Sequence, residues 1–144
     1  MKKKPNVIWY YEECFRCNVY CIYSADYDDF QKYVKKKFKI NVVDDNCPFM
    51  GRAMCVESEH GGYYYFIVLK KLDNSCWALS TLMHECIHTA HYILKHSLIN
   101  HCEETEELYA YLPESIYRVI LERFREKQKR RKKRLDKRKK NVIL

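Results

Sequence analysis

Two histidines four residues apart, His84 and His88, are the side chains of this chain best suited to chemistry. They occur in the order His-Glu-x-x-His, late in an apolar stretch that begins near residue 75. On an α-helix, residues four apart lie on one face, one turn above the other, so both imidazoles can point at one cation. Zinc accepts imidazole nitrogens at about 2.0–2.1 Å in tetrahedral geometry. The spacing therefore predicts a helix that supplies half of a zinc site.

Glu85 follows His84 directly and is rotated by about 100° around the helix axis. It can lie beside a metal without ligating it, which is the position of a general base for a metal-bound water. The alternative is an amphipathic core helix with two hydrogen-bonded histidines. That alternative would bury the Glu85 carboxylate without a partner, which costs free energy, and we therefore favour the metal site.

A catalytic zinc site needs a third protein ligand and one open position. The chain offers four glutamates after the histidine helix, and their residue types alone do not choose among them. These candidates are Glu103, Glu104, Glu106 and Glu107.

The motif at 84–88, followed after eighteen residues by Glu107-Leu-Tyr-Ala, resembles the gluzincin branch of the zincin metallopeptidases. This resemblance covers residues 75–112, under a third of the chain. The chain is similar also to small phage-encoded proteins with a His-Glu-Cys-x-His helix and a later Glu-x-x-Ala-Tyr. Metzincins differ, since their spacing demands Gly and His where His91 and Leu94 stand.

The resemblance implies that His84, His88 and Glu107 bind one zinc ion per chain and that Glu85 is the general base. It implies a hydrolase that cleaves peptide bonds of a protein or peptide substrate with a metal-activated water. An oxyanion donor or an outer hydrogen-bond partner of the ligands is also needed. His91, Tyr109 and Tyr111 are candidates for these roles by their proximity in sequence.

The pattern of apolar residues predicts an α+β fold with a small, mainly antiparallel sheet of three or four strands packed on helices. We expect a strand or a turn of helix at 7–11, strands at 15–23 and 40–43, and a hairpin of 52–57 and 63–69 around Gly61–Gly62. Helices are expected over 28–38 and 76–94. Asn100 and Glu103 resemble a capping box that starts the glutamate helix, in which Pro113 should introduce a kink. This order is zincin-like, and either hairpin strand is a candidate sheet edge for an extended peptide.

Charge is concentrated at the end of the chain. The formal net charge is +8, but residues 127–140 hold eleven Lys or Arg and one Asp, which leaves about −2 for the rest. We therefore divide the chain into a zincin-like domain, 1–124, and a basic tail, 125–144. Like charges at this density repel, so an isolated helix would be marginal, and we expect the tail to become ordered on a polyanion.

The basic tail predicts salt-sensitive, sequence-independent contact with nucleic acid. No aromatic residue lies in the tail, so base stacking is not expected there. The alternatives are a solubilising tail or, in a eukaryotic host, a nuclear-localisation signal. The candidate contact residues are Lys129, Arg130, Arg131, Lys132, Lys133, Arg134, Lys137, Arg138, Lys139 and Lys140.

Eight cysteines are present, and Cys14, Cys17 and Cys21 form their closest cluster. We expect buried thiols alternating along a strand there rather than a second metal or redox site. Neither a signal peptide nor an apolar run of about 18 residues is evident, so we expect a cytoplasmic protein with reduced thiols and no membrane contact, in the host cytoplasm if the chain is viral.

The leading function from the sequence is a small zinc metallopeptidase. One alternative is a non-catalytic binding protein that retains the zinc fold. The other is a nucleic-acid-binding accessory protein that acts through its basic tail. Glu85 favours catalysis, because a structural zinc has no need of a general base. The sequence does not identify the substrate or the oligomeric state.

Overall fold

A computed structural model describes residues 5–24, 26–42 and 49–142, and the side chains up to residue 138. Two strands, a helix, a hairpin and two further helices follow one another along the chain. A single 3₁₀ turn, Glu103–Thr105, precedes the last helix. The elements are β1 (Asn6–Glu12), β2 (Cys17–Tyr23), α1 (Tyr27–Phe38), β3 (Gly51–Glu57), β4 (Tyr63–Leu69), α2 (Cys76–His96) and α3 (Glu106–Val142).

The four strands form one mixed sheet in the order β1-β2-β4-β3. β1 pairs with β2 and β3 pairs with β4 in antiparallel fashion, whereas β2 and β4 are parallel. The parallel pair arises because the chain leaves the sheet through α1 before it returns to form the hairpin, and parallel neighbours need such a crossover. The predicted α+β class is confirmed, with a four-stranded mixed sheet and three helices in the described part of the chain.

Helices cover both faces of the sheet. On one face, Phe30 and Val34 of α1 pack against Tyr20 and Phe66, all of them buried. The other face carries the larger core, which includes residues from α2 and α3 such as Leu82. Because β2 and β4 are covered on both sides, they are apolar along nearly their whole length, as interior strands usually are.

The structure corrects two local predictions. Residues 40–42 are not a strand, and residue 43 lies outside the described part. The capping box predicted for Asn100 and Glu103 is formed instead by Cys102 and Thr105: the Cys102 N–H donates to Thr105 Oγ1 at 3.0 Å, and the Thr105 hydroxyl donates to the Asn100 carbonyl at 2.6 Å.

Helix α3 continues without a break through Pro113 and through the basic region to Val142. The predicted boundary at 124/125 therefore falls inside a helix. Burial does end there, since Phe124 is 1 % exposed and residues 125–138 are all exposed. The expectation of a marginal helix considered an isolated segment. A helix already nucleated on the core gains one hydrogen bond per added residue, and Lys and Arg have good helix propensity.

Candidate metal centre

Helix α2 presents the His-Glu-x-x-His motif at its middle. Ser75 caps the helix, since its side chain accepts a hydrogen bond from the Ala78 N–H at 3.3 Å. One side of α2, which includes Leu82, Cys86, Ala90 and Ile93, is buried against the sheet. The opposite side carries the exposed His84 and His88.

The two histidines meet as the spacing predicts. Their Nε2 atoms are 3.1 Å apart, and their rings are nearly perpendicular, at 78°. Two nitrogens that each lie about 2.0–2.1 Å from a tetrahedral zinc ion are about 3.3 Å from one another. The observed separation also suits one N–H···N hydrogen bond between neutral rings. The pair of imidazoles therefore fits a shared zinc ion with little movement.

Glu85 points away from solvent, into the angle between α2 and the sheet, and is 5 % exposed. Its carboxylate accepts a hydrogen bond from the Ala53 N–H. Gly51 makes this approach possible: a Cβ at that position would lie 2.8 Å from Glu85 Cγ and 3.0 Å from Glu85 Oε1. The backbone of β3 therefore contacts Glu85 at a distance that leaves no room for a side chain at position 51.

Burial raises the pKa of the Glu85 carboxyl above its ordinary value, while His84, His88 and the Ala53 N–H act in the opposite direction. A carboxylate with a raised pKa accepts a proton more readily, as a general base should. Its neighbour Cys86 is fully buried, and burial raises the pKa of that thiol well above normal. Cys86 is therefore a protonated core residue and not a metal ligand.

The sheet edge above Glu85 belongs to β3. The Lys70 N–H donates to the Met50 carbonyl, and the Ser58 N–H donates to the Gly62 carbonyl, so even-numbered residues of this strand bond toward β4. Gly51, Ala53 and Cys55 consequently direct their backbone groups away from the sheet. The sequence left two candidate edges. The structure excludes 63–69, because β4 pairs on both sides, and leaves β3.

No third ligand joins the histidines among the residues that the structure describes. Within them, no three His, Cys, Asp or Glu side chains cluster closely enough to hold a metal ion. Glu103, Glu104, Glu106 and Glu107 are all exposed at the start of the last helical segment. The assignment of Glu107 as third ligand stays a prediction.

The packing of α3 against α2 adds Glu114 to the candidates for a third ligand, a residue that the sequence analysis did not consider. The rings of His91 and Tyr109 are 5.3 Å apart, and the two helices, joined by a short connection, run in opposite directions. Each helix rises about 1.5 Å per residue. Counting from this contact at that rise puts the exposed Glu114 at a level between His84 and His88, and Glu107 about half a turn beyond His91. Glu114 and Glu107 are seven residues apart, so they lie on the same face of α3.

The three residues predicted as oxyanion donors or as hydrogen-bond partners of the metal ligands lie where α2 and α3 meet. The Tyr109 hydroxyl donates to the Ile99 carbonyl at 2.8 Å, which engages its only proton. Tyr111 is 63 % exposed and His91 is exposed against the Tyr109 ring. Tyr111 and His91 thus retain side-chain donors, whereas Tyr109 mainly fixes the entry to α3.

Two of the three clustered cysteines are buried in a strand as the sequence predicted, and the third is not. Cys17 and Cys21 are buried in β2, and Cys14 is exposed in the preceding turn. Desolvation raises the pKa of both buried thiols to about 12. All cysteines in the described residues are free, and the buried ones act as small apolar side chains.

Of the ten basic residues predicted to contact nucleic acid, eight have described side chains, and all eight are exposed on α3. The side chains of Lys139 and Lys140 lie outside the described part. No described helix is both long and apolar enough to span a membrane.

Comparisons with protein families, with curated proteins and with solved structures find no match to this chain.

Proposed function

We propose that the protein is a zinc-dependent metallopeptidase with a zincin-like arrangement of sheet and helix. The observation that carries the proposal is the geometry around α2: two imidazole nitrogens 3.1 Å apart, beside a buried carboxylate that contacts β3, which pairs only with β4 among the described strands. A core helix has no need of two exposed, converging histidines together with a buried glutamate.

His84 and His88 would hold the zinc ion, with a carboxylate of α3 as third ligand. Glu107 is the candidate from the sequence resemblance, and Glu114 is the candidate from the helix packing. When bound, zinc supplies a Lewis acid that polarises a carbonyl and lowers the pKa of a coordinated water. The donor set suits zinc, which favours imidazole and carboxylate in open catalytic sites.

The side chain of Glu85 would take up a proton from the attacking water and pass it to the leaving amine. Its burial suits this task, because a desolvated carboxylate is a stronger base than an exposed one. The outward backbone groups of Gly51 and Cys55, together with the Ala53 carbonyl, would align an extended peptide by strand addition, while the Ala53 N–H stays bonded to Glu85. The peptide would then lie directly beside Glu85, so β3 orients the substrate and also shields the base.

Metal analysis of the purified protein tests the site independently of activity. Wild type should bind about one zinc ion per chain, and His84→Ala or His88→Ala should lower zinc affinity at least about tenfold. His60→Ala is the matched control, because this exposed histidine lies in the turn between β3 and β4, outside the motif. Wild type without zinc, or an equal loss in the control, would refute the metal centre.

The third ligand is identified by the same measurement on Glu107→Ala and Glu114→Ala. The true ligand should reduce zinc affinity as strongly as loss of a histidine, while the other variant should bind normally. Glu122→Ala, an exposed glutamate further along α3, is the control. If neither variant changes zinc affinity, α3 does not supply the ligand.

Glu85→Gln separates catalysis from binding. The amide oxygen of glutamine still accepts the Ala53 hydrogen bond, so the fold and the zinc content should be retained. Cleavage of a peptide library should fall by about a hundredfold or more, the usual contribution of a general base. Wild-type zinc binding without cleavage would instead support the non-catalytic alternative, and undiminished cleavage by the variant would refute the role of Glu85.

A further inference from the structure

The distal half of α3, residues 125–142, carries twelve of the 27 Lys and Arg residues, and one helix face of it borders a cleft. The residues on that face are spaced at i, i+3, i+4 and i+7, the positions that lie together on a helix. They are Lys127, Arg130, Arg131 and Arg134.

This part of α3 is held in place by the outer edge of the sheet. Arg123 Nη1 donates to the Trp9 carbonyl, and Lys127 Nζ donates to the Val7 carbonyl. Four helix residues rise by about 6 Å, which nearly matches the span of two strand residues. Side chains from successive turns of α3 therefore reach every second residue of β1, at carbonyls that point away from the sheet. These two hydrogen bonds fix the orientation of α3 where it extends past the end of the strand.

Beyond this anchor, a cleft of about 550 Å³ opens between α3 and the end of the sheet where β1 begins and β2 finishes. Its other wall is formed by neutral residues, Asn6, Tyr23, Ser24 and Leu72, and no carboxylate lines it among the residues that the structure describes. A second, neighbouring cleft shares Lys127 and Arg130 with the first but also includes Glu122 and Glu126. The first, which we name the basic cleft, is thus the more electropositive of the two.

We propose that the basic cleft binds the sugar-phosphate backbone of a nucleic acid, independently of its sequence. Guanidinium groups form bidentate hydrogen bonds with phosphate oxygens and keep their charge at every physiological pH. Arg131 and Arg134 have no acidic partner within ion-pair distance among the described residues, and both are exposed. Both guanidinium groups are therefore available to a phosphate without loss of an existing ion pair.

Nucleic acid suits this surface better than a lipid bilayer does. A membrane-binding helix needs an apolar face opposite its basic one, but Leu135 is the only apolar residue of α3 between Phe124 and residue 138. The basic run continues along the helix for residues 127–138, about 18 Å at the rise of an α-helix. A ligand with regularly spaced phosphates can follow such a surface past the cleft. This inference does not depend on the proposed peptidase function.

The test is fluorescence anisotropy with a labelled 20-base-pair DNA of random sequence, titrated with the full chain at several salt concentrations. Arg131→Gln/Arg134→Gln should weaken binding about tenfold and reduce the slope of log affinity against log salt by about 2, because two phosphate contacts are lost. Both side chains are exposed, so circular dichroism should report an unchanged fold.

Lys129→Gln/Lys132→Gln is the control that separates a cleft from diffuse charge. It removes the same charge from the same helix, but neither lysine lines the basic cleft. We expect a loss of affinity of threefold or less. Equal losses in the two double variants, no binding by wild type, or tighter binding to vesicles of anionic phospholipid than to DNA would each overturn the proposal.

Discussion

At Gly51 the absence of a side chain is a packing requirement and not a conformational one. Its φ is outside the left-handed region, in contrast to Gly61 and Gly62, whose φ angles are 80° and 85°. A Cβ at Gly51 would lie 2.7 Å from Thr81 Cγ2 and 2.8 Å from Glu85 Cγ. These contacts are with two side chains of α2 that are both fixed by the helix, so one methyl group would push β3 away from the helix.

Gly51→Ala should therefore lower the free energy of unfolding by about 1–3 kcal/mol, the usual cost of overpacking. It should also loosen the hydrogen bond between Ala53 and Glu85. Urea denaturation measures the first effect. Gly61→Asn is the control, since open space surrounds Gly61 and asparagine tolerates its positive φ. Equal stability of Gly51→Ala and wild type would show that the strand has room to move.

The sequence was sufficient for the part of the site that lies on one helix. His84 and His88 are four residues apart, so their convergence depends only on α2. The approach of Glu107 depends on the length of the 97–105 connection and on the way α3 packs, neither of which is encoded in local spacing. The level of Glu114 along α3 relative to the two histidines likewise follows from helix packing and not from local spacing. The contact between Glu85 and Gly51 joins elements distant in sequence and has no local signal.

Among the elements, β1 presents a sheet edge that the basic helix protects. An edge strand leaves backbone groups able to pair with another chain. Arg123 and Lys127 engage two of the outward carbonyls of β1. These hydrogen bonds hold α3 against the sheet and also occupy backbone groups of β1 that could otherwise pair with another chain.

Arg123→Met/Lys127→Met should retain the apolar stems of these side chains but lose both donors. We expect a loss of about 1–2 kcal/mol in the free energy of unfolding, since two charge-assisted hydrogen bonds at a partly solvated surface disappear. Light scattering should show aggregation at lower protein concentration. Arg125→Met/Lys129→Met, exposed positions on the same helix, should show neither effect; similar changes in both pairs would contradict the role of the edge.

Local patterns were enough to predict the hairpin and α2, because each is defined by neighbours in sequence. The hairpin is confirmed as β3 and β4, within one residue at its ends. The pairing of β4 with β2 is non-local and was not predicted. One signal for it was present: residues 63–69 are apolar throughout, which is typical of an interior strand and unsuitable for a substrate-binding edge.

On the scale of the whole molecule, the chain combines a nearly neutral core with a highly charged helix extension. Removing residues 129–144 removes ten Lys or Arg and one Asp, so the formal net charge falls from +8 to −1. Basic side chains three and four residues apart repel each other along this extension and weaken its helix. The core, in contrast, ends at Phe124 and does not contact the exposed residues 125–138 through buried apolar surface.

Salt should therefore act on the extension and leave the core unchanged. Screening shortens the range of the repulsion from about 30 Å at 0.01 M salt to below about 8 Å above 0.15 M. The helix content of the full chain, measured by circular dichroism, should rise over this interval, while a chain of residues 1–128 should show no rise. The unfolding free energies of the two chains should agree within about 0.5 kcal/mol, as expected for exposed positions. A salt-independent helix content in the full chain would mean that repulsion does not limit the extension. A large loss of stability on truncation would mean that the extension supports the core.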